Sequence, residues 1–226
     1  MKKKYNEAFQ QLIDDIKSPS QATTPLPDTL DADLRDYQKT GFQWLSSLSR
    51  YGFGGILADD MGLGKTLQSI AFLLSQREKY PDSMPALVVS PASLVYNWQA
   101  EFEKFAPTMQ VQIISGTAGE RKQLLEQLQD VDVLITSYPL LRQDSEQYEE
   151  LQFSTLILDE AQAIKNHLTK QAKAVRSIRA KERFALSGTP IENSLDELWS
   201  IFDVILPKFF PNKRNSKTYQ KIRFQA

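Results

Sequence analysis

From Tyr51 to Leu206, short apolar runs alternate with stretches in which apolar residues recur every three or four positions. The runs are GGILA (54–58), ALVVS (86–90), VQIIS (111–115), DVLITS (132–137), TLILD (155–159) and RFALS (183–187). They are rich in β-branched residues and apolar on both faces, which predicts strands of a parallel sheet covered on each side. Helical spacing near 65–79, 92–105, 119–129 and 169–180 predicts the covering layers. Regular strand–helix alternation predicts a doubly wound α/β domain over residues 34–206. Its last helix, 194–206, opens with Ser194 and Glu197 as a capping box and places Leu195, Leu198, Trp199, Phe202 and Ile205 on one side.

Ahead of this domain, Phe9, Leu12, Ile13 and Ile16 predict a helix within residues 1–18, the end of an upstream region. Residues 19–33 hold three prolines and many small polar residues, the composition of a linker. From Leu34 a second helical pattern puts Tyr37, Gly41, Trp44, Leu45 and Leu48 on one face. Residues 207–226 form a basic extension with Lys208, Lys213, Arg214, Lys217, Lys221 and Arg223 and no acid. That tail carries +6, so a chain of net charge −1 has −7 elsewhere. Bulk charge therefore does not announce nucleic-acid binding, and any such contact has to be local.

Hydrophobic residues make up 41% and charged residues 24% of the 226, the balance of an ordinary globular protein. With no cysteine and a single histidine, His167, the chain offers neither disulfides nor a thiolate or histidine zinc site. No apolar run approaches the roughly 18 residues of a membrane span, and MKKKYNEAFQQ lacks the apolar core of a secretory signal. A cytoplasmic protein without membrane contact is the expectation.

Chemistry concentrates in two places. In DDMGLGKT, Asp60, Met61, Gly62, Leu63 and Gly64 join a strand to a helix start. There backbone N–H groups can converge on phosphate oxygens. Gly62 and Gly64 let the backbone bend, Lys65 reaches the β and γ phosphates, and the Thr66 hydroxyl suits Mg²⁺. The strict pattern G-x-x-x-x-G-K-[ST] fails at its first position, where Asp59 stands. Alone, the stretch also reads as a glycine turn before an amphipathic helix buried through Leu67, Ile70, Ala71 and Leu74. Some ninety residues later, Asp159 and Glu160 end another apolar strand, where a nucleotide site on an open parallel sheet needs carboxylates. Asp159 suits the metal and Glu160 the attacking water, as general base. Taken alone, the pair also reads as acids favoured by a helix dipole.

The ordered blocks LRDYQ, DDMGLGKT, SPASLVYNW, TSYPLL, DEAQAIKN and SGTPIEN resemble the SWI/SNF-type DNA translocases of helicase superfamily two, bacterial members above all. Asp59 fits that family, whose phosphate loop typically reads D-x-M-G-L-G-K-T. The resemblance, over about residues 26–207, implies a RecA-like P-loop NTPase lobe using ATP and Mg²⁺. It implies the N-terminal half of a DNA-dependent ATPase that moves on double-stranded DNA and remodels protein–DNA complexes, without implying strand separation. Gln38 would read the adenine edge. Ser90, Pro91 and Leu94 with Trp98, and then Thr136, Ser137 and Tyr138, would contact DNA, with hydroxyls and amides gripping phosphates. Ser187, Gly188, Thr189 and Pro190 would couple nucleotide state to movement, with Asn193 in the same block. Trp98 has a second reading, core packing against Phe102, and Asn193 another as a helix N-cap. Lys170, Lys173, Arg176, Arg179 and Arg183 read either as a solvated basic face or as DNA contacts. The family's second RecA-like lobe is expected to be absent, so the chain reads as an excised segment or a truncated product; one alternative is a module that binds nucleotide or a partner without chemistry of its own. A lobe of a strand-unwinding superfamily two helicase is the remaining alternative.

Overall fold

The computed structural model describes residues 13–14, 24–60, 62–188 and 195–207, leaving out the side chains of Leu195 and Asp196. The expected helix in 1–18 (except residues 13–14), the start of the linker, Met61, residues 189–194 with the capping role of Ser194, and the tail from Lys208 lie outside these residues.

Helix α1 (Asp36–Arg50) precedes the sheet. Strand β1 (Gly55–Leu57) leads to α2 (Lys65–Lys79), β2 (Ala86–Ser90), a one-turn helix (Ala92–Leu94) and α3 (Val95–Phe105). Then come β3 (Val111–Ile113), α4 (Ala118–Glu126), β4 (Val133–Ser137), α5 (Tyr138–Gln143) and α6 (Ser145–Glu149). Strand β5 (Gln152–Leu158), a short turn of helix (Ala161–Ile164), α7 (Lys170–Ser177), β6 (Arg179–Leu186) and α8 (Leu195–Ile205) complete the described chain. The six strands form one sheet in the order β1-β6-β5-β2-β4-β3, and every pairing is parallel.

Alternation along the strands divides the core. Val88, Val133, Ile135, Ile157, Phe184 and Leu186 face one way, toward α1, α2 and α3. Leu87, Val89, Leu134, Leu156, Leu158 and Ala185 face the other, toward residues of α4 through α8. The result is a three-layer sandwich whose inner strands are apolar on both faces, as a parallel sheet requires. Because α1 lies across α2, residues 68–74 are buried all round rather than on one stripe. Within α1, Phe42, Leu45 and Leu48 are buried whereas Tyr37 is 38% exposed, so Tyr37 does not share the core face.

Several boundaries differ from the expected ones. Pairing of Gln152 with Arg179 and Phe153 with Ala180 extends β5 and β6 at their starts and ends α7 at Ser177. Sheet pairing here overrides the helical pattern. Residues 24–33 do not behave as a loose linker. Gln43 Nε2 donates to Thr24 O at 2.6 Å, Thr29 Oγ1 donates to Glu78 Oε1 at 2.6 Å, and Asp31 N donates to Phe105 O at 2.9 Å. Leu26 and Leu30 pack against the core beside these bonds.

Candidate functional site

The loops leaving β1, β6, β5, β2 and β4 follow one another along the carboxyl edge of the sheet. Neighbouring strands lie about 4.8 Å apart, so the loop after β1 and the acidic pair after β5 are separated by roughly 10 Å, with the end of β6 between them.

After Leu57 the backbone turns through Gly62 (φ 85°) and Gly64 (φ 70°), left-handed conformations that glycine adopts at little cost. Lys65 Nζ donates to the carbonyls of Asp59 (2.8 Å) and Asp60 (3.0 Å), holding its ammonium inside the loop. Gln68, fully buried, braces the loop from below: its Nε2 donates to Leu63 O at 3.2 Å and to Asp59 Oδ2 at 3.3 Å. Asp59 thus gains a specific acceptor role at the position where the strict motif has glycine. From α1, Gln38 accepts from Arg35 N at 2.9 Å, and its Nε2 lies 2.4 Å from where a β-carbon on Gly64 would sit. Gln38 and the phosphate loop are therefore brought together. Thr66 is half-buried in the first turn of α2.

Asp159 is 8% exposed, and every polar group it carries is held by a different element. Its N–H donates to Val89 O (2.8 Å) and its carbonyl accepts from Tyr138 Oη (2.8 Å). Oδ1 accepts from Glu160 N (3.0 Å) and Oδ2 from Trp98 Nε1 (2.8 Å). Burial pushes the Asp159 carboxyl above the usual carboxylate range, against the Trp98 hydrogen bond. The negative charge of Glu160 raises it further, and the Lys65 ammonium pulls it down. The phosphate loop and the acidic pair thus share one edge of the sheet. Glu160 occupies the left-handed region (φ 47°, ψ 57°), which costs a non-glycine residue about 1–2 kcal/mol and persists only because the surrounding contacts hold it. Its Oε2 accepts from Gln162 Nε2 at 2.6 Å, while Gln162 Oε1 accepts from Ser187 Oγ at 3.1 Å. Ser187 N donates to Leu57 O at 3.2 Å, closing a chain of contacts from acidic pair to β6 to β1. Gly188 follows Ser187, and Thr189 lies outside the described residues.

A family model described as an SNF2-related domain matches residues 37–224. The chain belongs to the SNF2-related domain family. It is 46% identical to the putative ATP-dependent helicase/translocase YwqA of Bacillus subtilis over 75% of this chain and 18% of that protein. It is 40% identical to the chromatin-remodeling ATPase INO80 of Drosophila melanogaster over 89% of this chain and 13% of that protein. Among solved structures, the Sulfolobus solfataricus SWI2/SNF2 ATPase core in complex with dsDNA matches with a TM-score of 0.74 and 41% identity, covering 82% of this chain and 38% of that one. The RecA-like lobe architecture is thereby shown. The chain spans about a fifth or less of the length of these curated relatives.

In this SNF2-related domain the residues after β2 and β4 are placed differently from expectation. Ser90 and Thr136 are wholly buried, Ser137 is 3% exposed and Tyr138 2%. Ser90 Oγ donates to Pro91 O, Ser137 Oγ caps α5 by accepting from Leu140 N, and Tyr138 reaches Asp159. These side chains are buried within the protein and do not present hydroxyls to a phosphate. Exposed at those strand ends are Ala92, Ser93, Tyr96, Asn97 and Pro139, beside a half-buried Pro91 and Leu94. Trp98 is 1% exposed and packs on Phe102 with ring centroids 6.1 Å apart, the core reading, yet its N–H also reaches the acidic motif. The basic face dissolves as a unit. Arg183 is buried in β6, donating to Ile178 O and Val204 O, and Arg176 pairs with Asp203 at 2.7 Å. Lys170, Lys173 and Arg179 remain exposed, as does His167.

Sequence reasoning missed Gln68 and Gln162. Gln162 stands in the quoted DEAQ block and Gln68 two residues past Thr66, so both lay in view. Spacing says nothing about which partner a buried amide finds.

Proposed function

We propose that this chain is the ATP-binding lobe of a motor that moves on duplex DNA and displaces or remodels bound proteins. The observation that carries this reading is the placement of Lys65 and Asp159 on one sheet edge, at loops with only the end of β6 between them, in a chain of the SNF2-related family. Support for DNA as partner comes from the solved relative in complex with dsDNA, and for remodelling from the relative named a chromatin-remodeling ATPase.

In this reading the backbone of Asp60–Gly64 cradles the phosphates. Lys65 leaves its two loop carbonyls to meet the β and γ phosphates, so the carbonyls reserve the ammonium's position in advance. Gln38 turns its amide to the adenine edge. Thr66 and Asp159 would hold Mg²⁺. The donor set fits, being a hydroxyl and a carboxylate, since Mg²⁺ takes one or two protein oxygens and completes its shell with phosphate and water. Bound there, the metal neutralises charge on the transferred phosphoryl group. Glu160 orients the attacking water and takes its proton, Gln162 holding the carboxylate in place. Ser187 and Gly188, with Thr189, pass the change at Gln162 toward DNA. A second lobe of the same family would supply the arginine that stabilises the transition state, an effect of roughly a thousandfold or more.

The test is ATP turnover with and without duplex DNA, beside Lys65→Ala. Turnover that DNA stimulates and Lys65→Ala abolishes supports the motor reading and shows a lobe active by itself. If turnover is absent, joining a family second lobe restores it under this proposal. Failure to do so would leave a nucleotide- or partner-binding module.

A further inference from the structure

The Mg²⁺ and ATP reading above leaves one buried polar contact unused. Trp98 belongs to α3, 61 residues before Asp159, and its indole N–H donates to a carboxylate oxygen at 2.8 Å. A buried indole N–H needs an acceptor, but a main-chain carbonyl would serve. Pairing it with a carboxylate instead keeps an acid desolvated, an arrangement unfavourable to folding on its own account. The carboxylate plane of an aspartate rotates freely unless its oxygens are held. Here Oδ1 is held by Glu160 N and Oδ2 by Trp98 Nε1, so two donors from different parts of the chain set its orientation. The ring cannot drift, because the core encloses it on all sides.

We propose that Trp98 is a positioning residue: its N–H fixes the Asp159 carboxylate in the orientation that Mg²⁺-nucleotide binding requires. Partners that orient a metal ligand typically change metal affinity about 10–100-fold when removed.

The inference rests on the ATP reading, and the experiment separates the two. Binding of N-methylanthraniloyl-ADP is followed by fluorescence anisotropy across a Mg²⁺ titration and in EDTA. The unaltered chain is compared with Trp98→Phe and Phe102→Leu, and circular dichroism monitors the fold. Trp98→Phe keeps an aromatic ring and deletes the donor; Phe102→Leu loosens the packing and keeps it. In EDTA all three bind ADP alike. With Trp98→Phe the half-saturating Mg²⁺ concentration rises about 10–100-fold, whereas Phe102→Leu leaves it within about threefold of the unaltered chain, because the donor remains. Equal Mg²⁺ dependence in Trp98→Phe and the unaltered chain overturns the proposal alone, as does an equal shift in Phe102→Leu. An unaltered chain that binds no ADP overturns the ATP reading and this inference with it.

Discussion

A β-carbon on Gly41 would lie 1.8 Å from Gln68 Oε1, so this residue of α1 controls a side chain of the neighbouring helix α2. Gln68 in turn holds both ends of the phosphate loop, through Asp59 and Leu63. Gly41→Ala is therefore expected to push Gln68 out of its place and release the loop, with an overpacking cost of about 1–3 kcal/mol. Nucleotide affinity and melting temperature should both fall, and titration with a fluorescent ADP beside a thermal melt checks this. An unchanged affinity would show that the loop holds its shape without Gln68. The conformational requirement at Gly62 and Gly64 could be read from the motif, whereas nothing in LRDYQKTG announces that Gly41 makes room for an amide from another helix.

Among the elements, α4 is tied to the turn between α5 and α6 by one guanidinium. Arg121 Nε and Nη2 donate to the two oxygens of Asp144 at 2.6 and 2.7 Å, and Nη1 donates to Gly116 O at 2.7 Å. Arg121 and Asp144 are each 5% exposed, and the Asp144 contact holds the guanidinium above its ordinary pKa. Arg121→Ala strands a shielded carboxylate. The expected cost is about 3 kcal/mol, the loss of one partner of a buried pair. In a chain of this size that lowers Tm by roughly 6–12 °C, which calorimetry or a dye-based melt measures. Helices α5 and α6 were not read from the sequence. The signal for α5 was present in Ser137-Tyr138-Pro139, an N-cap serine with proline in the first turn. A helix of six residues has too few positions for periodicity to reveal.

At the scale of the molecule, the proposed nucleotide site lies along an edge of the sheet rather than in a deep cavity, so ligand binding should report on the whole domain. Mg·ADP at a hundred times its Kd contributes about 2.7 kcal/mol to the folded state, which corresponds to a rise in Tm of about 5–11 °C. Lys65→Ala should abolish the rise while leaving the ligand-free melt near its original position. A rise that survives in the variant would place ADP somewhere other than the phosphate loop. Among the described residues, a groove of about 550 Å³ lies at the opposite end of the sheet, lined by Tyr80, Met84, Lys181 and Glu182. The variant distinguishes the two places.

The amino-acid order by itself determined the parallel sheet, its six strands and the positions of the phosphate loop and acidic pair. Strand periodicity, turn glycines and the order of the blocks are local properties, so they are legible one segment at a time. Only the tertiary structure decided what the buried polar groups hold. Gln68 braces Asp59, Gln162 joins Glu160 to Ser187, Trp98 grips Asp159, and Ser90, Thr136 and Tyr138 turn inward rather than toward solvent. The bonds made by Gln68, Trp98 and Tyr138, and the one joining Gln162 to Ser187, close only when separate segments pack together. A buried donor takes whichever acceptor the fold brings within about 3 Å, and that choice leaves no trace in spacing or periodicity.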